Sequence, residues 1–309
     1  MTTHCYIKRY ASIHPTSQVD ELPYLPATEP DYKPIITNAG MRRRMSHIIK
    51  MGVAAALQCL PEDVQPEAII TATGLGCLGD TEKFLGQLLD NNEQLLNPTA
   101  FIQSTFNTIG AQVALMRHSG VYNTTYVHRA HSFENALIDT MMLLEEGYHN
   151  ILTGAIDEMY QTPYQIKKRL GLLDNITAGE GAQFFMLDSN SEDACAKIEH
   201  VACRVNPISP QQFLLDTLQQ VGWEAQSIDL WLTGENGNAQ HDALYATIKE
   251  HQSTQSRNIK FKQQCGEYPT ATASAVAQAI EEIRRDNIDR VVIYNHLHDQ
   301  HSIILISSK

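Results

Sequence analysis

The chain has 309 residues, 43% of them apolar and 19% charged, with a formal charge of −12, a pI near 5.5 and a mean hydropathy of −0.27. That acidic balance excludes a broad nucleic-acid-binding face, which needs clustered Lys and Arg against phosphate. No run approaches the roughly 18–20 apolar residues of a membrane span, and "MTTHCYIKRYASIHP" has no apolar signal core, so a cytoplasmic protein is expected.

Helical and strand patterns alternate along most of the chain, which predicts an α/β protein with layered sheets. The basic runs "MRRRMSHIIK" (41–50) and "IKKRLG" (166–171) read as solvated helix starts. "MSHIIKMGVAAALQCL" (45–60) is apolar at helical spacing, and "EAIITATG" (67–74) is a buried strand ending at Gly. A helix restarts at "GDTEKFLGQLLDNN" with Asp80 as its N-cap, and one further helix spans 98–120, closed by Gly120. "NTTYVH" then predicts a strand, "SFENALIDTMMLLEEG" a helix closed by Gly147, and "HNILTGAIDEM" and "GEGAQFFMLDS" two more strands.

The second half repeats the pattern. Strands are predicted at "AKIEHVACRVNP", "IDLWLTGEN", "NIKFKQQCGEY", "IDRVVIYNH" and "SIILISS", and helices at "SPQQFLLDTLQQVGW", "HDALYATIKEHQ" and "TASAVAQAIEEIRRDN". Both halves end on helix, strand and returning strand. We therefore expect an internal duplication, 1–190 and 191–309, joined by the polar stretch "DSNSEDACA".

Three motifs invite chemistry. "GLGCLG" (74–79) matches the dinucleotide fingerprint, but its acidic candidate Asp90 ends a helix rather than a strand, so a Gly-rich turn is the better account. "NHLHDQH" (295–301) offers His296, His298, Asp299 and His301 as metal ligands, and its place between two strands favours a polar hairpin turn. The six cysteines form no C-x-x-C, so they supply neither a zinc site nor a disulfide frame.

The corner "YVHRAHSFENAL" (126–137) runs from strand to helix, where free amides and the helix dipole favour a nucleophile. Ser132 beside His131 lacks a G-x-S-x-G elbow and an acid partner, and adjacent helical residues point apart. Ser132 is expected to cap the helix and Glu134 to complement its dipole.

Over residues 68–189 the order "TGLGCLGD", "PTAFIQSTFNTIGAQVAL", "TYVHRAHSFENAL", "HNILTGAIDE" and "AGEGAQFFMLD" resembles the N-terminal half of the β-ketoacyl synthases. The resemblance implies a thiolase-like fold, two duplicated βαβαβ halves in an α-β-α-β-α arrangement. It also accounts for the fingerprint, since the family carries that turn without binding NAD, and no cofactor is implied.

The family's chemistry uses a cysteine at the corner and two histidines that stabilise enolate and thioester oxyanions. Aligned from "ENAL" the nucleophile position falls on Ala130, and counted from Gly120 on Arg129. The first histidine position falls on Gly234 in "GENGNAQHD". The second falls on Glu267 in "KQQCGE", which keeps Lys262 and Gly266. The pocket-lining terminal loop is replaced by "NHLHDQH", and the chain is shorter than usual members, which implies an incomplete acyl tunnel.

The resemblance therefore implies a degenerate subunit of the chain-length-factor type, similar to ketosynthase-like proteins of aryl polyene, flexirubin or dialkylresorcinol clusters. Its expected partner is a catalytic ketosynthase, met through "NTTYVH" and the helix near 98–117, with the acyl carrier protein engaged indirectly. Phe106 and Phe133 are candidates for the shared pocket or interface, with Arg129 and His131, alongside His128 and Glu134, holding the corner there. Two alternatives stand: an active enzyme with Cys265 as nucleophile and His241 or His298 as base, or a homodimeric scaffold.

Overall fold

The computed structural model describes residues 4–16, 22–207 and 209–309. The chain opens on strand β1 (Cys5–Ile13), then helix α1 (Ala39–Arg44) and α2 (His47–Cys59). Strand β2 (Ala68–Ala72), α3 (Leu78–Asp90), α4 (Pro98–Gln103) and α5 (Thr108–Met116) follow. The first half closes with β3 (Tyr122–Tyr126), α6 (Ser132–Glu145), β4 (Ile151–Asp157), α7 (Gln161–Arg169) and β5 (Gly181–Asp188). The second half brings β6 (Ala196–Val205), α8 (Pro210–Gln220), β7 (Leu230–Thr233), α9 (Ala239–Lys249) and β8 (Arg257–Lys260). It ends with α10 (Lys262–Cys265), α11 (Thr272–Arg285), β9 (Arg290–Leu297) and β10 (Gln300–Ser307).

Strand order is β3-β2-β4-β5-β1-β6-β10-β9-β7-β8, so the second five strands repeat the first five as an inverted copy. β2 is parallel to β3 and β4, and β7 to β8 and β9, while β5 and β10 return antiparallel. The seam is the antiparallel pairing of β1 with β6, which sets Cys5 opposite Ile198.

Period-two alternation builds the layers. Ala68, Ile70 and Ala72 of β2 face one core, which also holds Phe133 and Leu137 of α6, Val276 and Ile280 of α11, and Val291 and Ile293 of β9. Ile69 faces the opposite way, onto α2 and α5. Val292 and Tyr294 face a third core under α8 and α9. Helices α6 and α11 each pack on strands of both halves, so they form the middle layer of an α-β-α-β-α stack. This is the expected thiolase-like architecture. Among the described residues no helix is long and apolar enough to cross a membrane.

Several local expectations are corrected. The single helix over 98–120 is two, because Ser104 and Thr105 hydroxyls donate back to the Phe101 and Ile102 carbonyls and compete with the helical ladder. The second of these ends at Met116, before Gly120. Asp80 is not an N-cap; Cys77 holds that position and Asp80 is buried in the first turn of α3. The strand expected through 258–268 stops at Lys260, where Phe261 turns helical to begin α10. The run 166–171 closes α7 rather than starting a helix, and the run 41–50 closes α1 before starting α2 at His47; Arg42–Arg44 and Lys167–Arg169 lie in last turns, where the dipole favours cations. Strand β1 is not among the expected elements.

Candidate functional site

The loops that follow the C-terminal ends of the parallel strands converge on one cavity of about 260 Å³, the place where open α/β sheets bind ligands. Leu75 comes from the turn after β2, Arg129 from the corner after β3, and Lys167 from α7 after β4. His241 comes from α9, Glu267 from the loop after α10, and His298 from the β9–β10 turn. The walls between them are apolar, chiefly Leu172, Leu173, Ile176, Pro269 and Leu297.

The opening turn of the site is held by carboxylates. Asp157, at the end of β4, accepts from the Gly74 amide at 2.9 Å, the Leu75 amide at 3.3 Å and the Thr73 hydroxyl at 3.0 Å. The Gly79 amide donates to Glu158 at 3.0 Å. The amides that would cradle a pyrophosphate are thus already occupied, which excludes dinucleotide binding at "GLGCLG" on physical grounds. Asp90 lies exposed at the far end of α3.

At the corner, Arg129 takes φ +53°, a conformation side-chain-bearing residues adopt rarely, and its side chain is exposed into the cavity. Ala130 is the opposite case: it is fully buried, and its amide donates to Gln300 Oε1 at 2.9 Å. An amide at a helix start can stabilise an oxyanion; here it is already bonded to a residue of the "NHLHDQH" turn. Ser132 does not cap α6. Its hydroxyl accepts from the His128 amide and donates to the Arg129 carbonyl, both at 2.7 Å, and so ties the corner together.

Three corner assignments change with the geometry. His131 is buried and bonds the His301 carbonyl at 3.0 Å, so it belongs to the packing between the halves and not to a pocket or surface. Phe133 is fully buried against Phe185, with ring centroids 5.7 Å apart, and is a core residue. Glu134 is also fully buried; Ser302 donates to it at 2.7 Å, and burial pushes its carboxyl up to about 7. Phe106 is 51% exposed and lies over Gly76 at the surface. His128 is exposed, with Nδ1 2.8 Å from Asn135 Nδ2.

Gly234 ends β7 where no side chain fits: a Cβ would sit 2.6 Å from both the Tyr245 hydroxyl and Asn295 Oδ1. Glu267 lines the cavity but is engaged. Lys262, buried, donates from Nζ to Glu267 Oε2 at 2.9 Å and to the His296 carbonyl at 3.0 Å, and Asn236 Nδ2 donates to the same Oε2 at 2.8 Å. Asn236 also meets His241 Nδ1 at 3.2 Å, which extends the network to the cavity wall.

Two glycines explain why this loop sits where it does. The Gly179 amide donates to the Glu267 carbonyl at 3.2 Å, and Gly266 takes φ +78° with its would-be Cβ 2.6 Å from Gly179. The "GEGA" and "K-x-x-x-G" glycines therefore touch, and only backbone fits between them.

Cys265 is not placed for nucleophilic attack. It is buried on the other side of α10, beside Ser12 and Ser274, and burial pushes its thiol up to about 12, so almost no thiolate exists at neutral pH. The histidine set is likewise separated. His296 and His301 face each other across the β9–β10 hairpin with ring centroids 4.4 Å apart, while His298 sits in the turn at φ +54°. Burial holds His296 and His301 down to about 4, so both are neutral. Among the described residues no three His, Cys, Asp or Glu side chains are placed to hold a metal ion.

A ten-stranded sheet repeated about a seam, with its site at a strand–corner–helix elbow, defines a thiolase-like protein. A family model for the β-ketoacyl synthase N-terminal domain matches residues 17–179, and the chain belongs to that family. No curated protein matches the sequence significantly. Among solved structures, the ishigamide ketosynthase/chain length factor superposes with a TM-score of 0.81 at 14% identity, covering 99% of each chain. A type II polyketide synthase acyl-carrier protein in complex with its ketosynthase bound to the hexaketide gives a TM-score of 0.79 at 12% identity, covering 100% of each chain. A β-ketoacyl synthase from Burkholderia phymatum gives 0.78 at 12% identity, covering 99% of this chain and 100% of that one. At these identities the likeness concerns the fold.

Proposed function

We propose that the chain is a non-catalytic, cytoplasmic ketosynthase-like subunit of the chain-length-factor type, which pairs with an active ketosynthase in polyene-type acyl assembly. The observation that carries this reading is Arg129. It occupies the strained, cavity-facing position at the strand–helix elbow, which supports reading Arg129, rather than the buried Ala130, as the counterpart of the family's thiol. A guanidinium cannot take an acyl group. Gly234 leaves no room for an imidazole, and Glu267, bonded to Lys262 and Asn236, has no hydrogen to offer an oxyanion.

The halves 1–190 and 191–309 have different tasks in this reading, the first supplying the interface. Among the described residues β3 is the edge strand of the sheet, with no partner on its outer side. Tyr122 of β3 is exposed, as are Leu115 of α5 and Met142 of α6, the helices packed on that strand, and Phe101, Ile102 and Phe106 are exposed on and just after α4; exposed apolar side chains of this kind mark association. The carrier protein is met through the ketosynthase.

Co-expression with the ketosynthase of its own gene neighbourhood, followed by sizing, tests this reading. A one-to-one heterodimer is expected, and Phe106→Asp should dissociate it, weakening pairing by at least about tenfold. A stable homodimer that ignores the ketosynthase would establish the scaffold reading instead.

A further inference from the structure

The cavity has a feature that an acyl-shaping role does not require. Arg129 and Lys167 both line it, and among the described residues neither side chain makes a hydrogen bond or ion pair. Lys167 is half-buried, and burial holds its ammonium below the usual range; Asp157 and Glu267 act on it only from beyond ion-pair distance. Glu267 does not neutralise the site, because its own charge is matched by buried Lys262 at 2.9 Å. Two cationic side chains without an ion-pair partner therefore face a chamber with apolar walls, where a visiting anion would meet both.

The anion can be specified further. A phosphate group binds where several backbone amides are free, and here the amides of Gly74, Leu75, Gly76 and Gly79 are taken by Asp157, Thr73 and Glu158. What remains is one planar guanidinium fork and one ammonium, which match a carboxylate. The walls of Leu172, Leu173, Ile176 and Leu297 match a short apolar body, and about 260 Å³ suits a medium-chain or single-ring group.

We propose that this cavity binds an amphiphilic carboxylate, with Arg129 gripping the carboxylate head, Lys167 adding a second positive charge, and the apolar body lying on Leu172, Leu173 and Ile176. The carboxylate can belong to a free acid or to the far end of a thioester-linked dicarboxylic acid; the head-group chemistry is the same. The proposal rests on the cavity and does not depend on pairing with a ketosynthase.

Calorimetric titration of the purified chain tests it with octanoate, octanamide and the pantetheine half-thioester of suberic acid. Octanoate should bind, with octanamide at least about tenfold weaker, and Arg129→Gln should reduce octanoate affinity by about tenfold or more. Lys167→Met should reduce it about threefold, as loss of a charge without a fixed fork does. Tighter binding of the half-thioester, with the same loss in Arg129→Gln, supports the proposal and identifies a tethered source; tighter binding of octanoate supports it and identifies a free acid. Equal binding of octanoate and octanamide, no octanoate binding, or unchanged affinity in both variants overturns it. Carboxylate binding by a chain that forms only homodimers would count against the subunit reading alone. Pairing without carboxylate binding would count against this proposal alone.

Discussion

Lys262→Met should destabilise the chain by about 3–5 kcal/mol, and adding Glu267→Gln should recover most of that loss. The two charges are removed from water together: the Lys262 side chain is fully buried and Glu267 nearly so, with Nζ and Oε2 2.9 Å apart. Removing the lysine leaves a carboxylate whose remaining donor is the Asn236 amide at 2.8 Å. Glutamine in place of Glu267 keeps an acceptor for Asn236 and carries no charge, so the double variant loses the ion pair and the bond to the His296 carbonyl but leaves no unpaired buried charge. Urea unfolding reads both effects as midpoint shifts at constant slope. An unchanged midpoint in Lys262→Met would contradict the view that the lysine is what holds this carboxylate in the core.

Asp157→Ala should cost about 3–4 kcal/mol and lower Tm by roughly 10 °C. This carboxylate is fully buried and joins three segments: the turn after β2 through Gly74, Leu75 and Thr73, its own strand, and Thr270 ahead of α11. Thr270 donates twice, from its hydroxyl at 2.8 Å and its amide at 3.1 Å. Alanine would leave the amides of Gly74 and Thr270 buried and unpaired, the expensive side of a lost hydrogen bond. Asp157→Asn should cost less, since one carbonyl oxygen still accepts. Calorimetric melting of the three proteins gives the order directly.

The fold was legible because its periodicities were long and repeated. β2, β4, β9 and β10 are apolar runs bounded by turn residues, and α6 and α11 keep a 3.6-residue stripe, so the order of elements could be read without contacts. β1 was missed because it is half-exposed and polar along "YIKRYAS", with the seam supplying its partners. The break between α4 and α5 was missed because Ser and Thr side chains decide it locally.

The site was legible only in part. Motif order located the corner, Gly234 and Glu267, but could not distinguish Ala130 from Arg129, since one is buried and the other exposed only in three dimensions. Lys167 was hidden in a basic run that resembled solvent-facing charge, although α7 turns it into the cavity. Gln300 gave no signal at all; its bond to the Ala130 amide joins positions 170 residues apart. The apparent metal ligands misled for a related reason, because a hairpin pairs His296 with His301 and sends His298 into the turn.

The central claim is that the elbow retains its shape while the chain forms no thioester of its own. Intact-mass spectrometry of the purified chain, after incubation with acyl- and malonyl-loaded carrier protein, tests it most directly. The account predicts an unmodified mass and no elongated product. A mass gain of one acyl group that Cys265→Ser abolishes, accompanied by turnover, would contradict it.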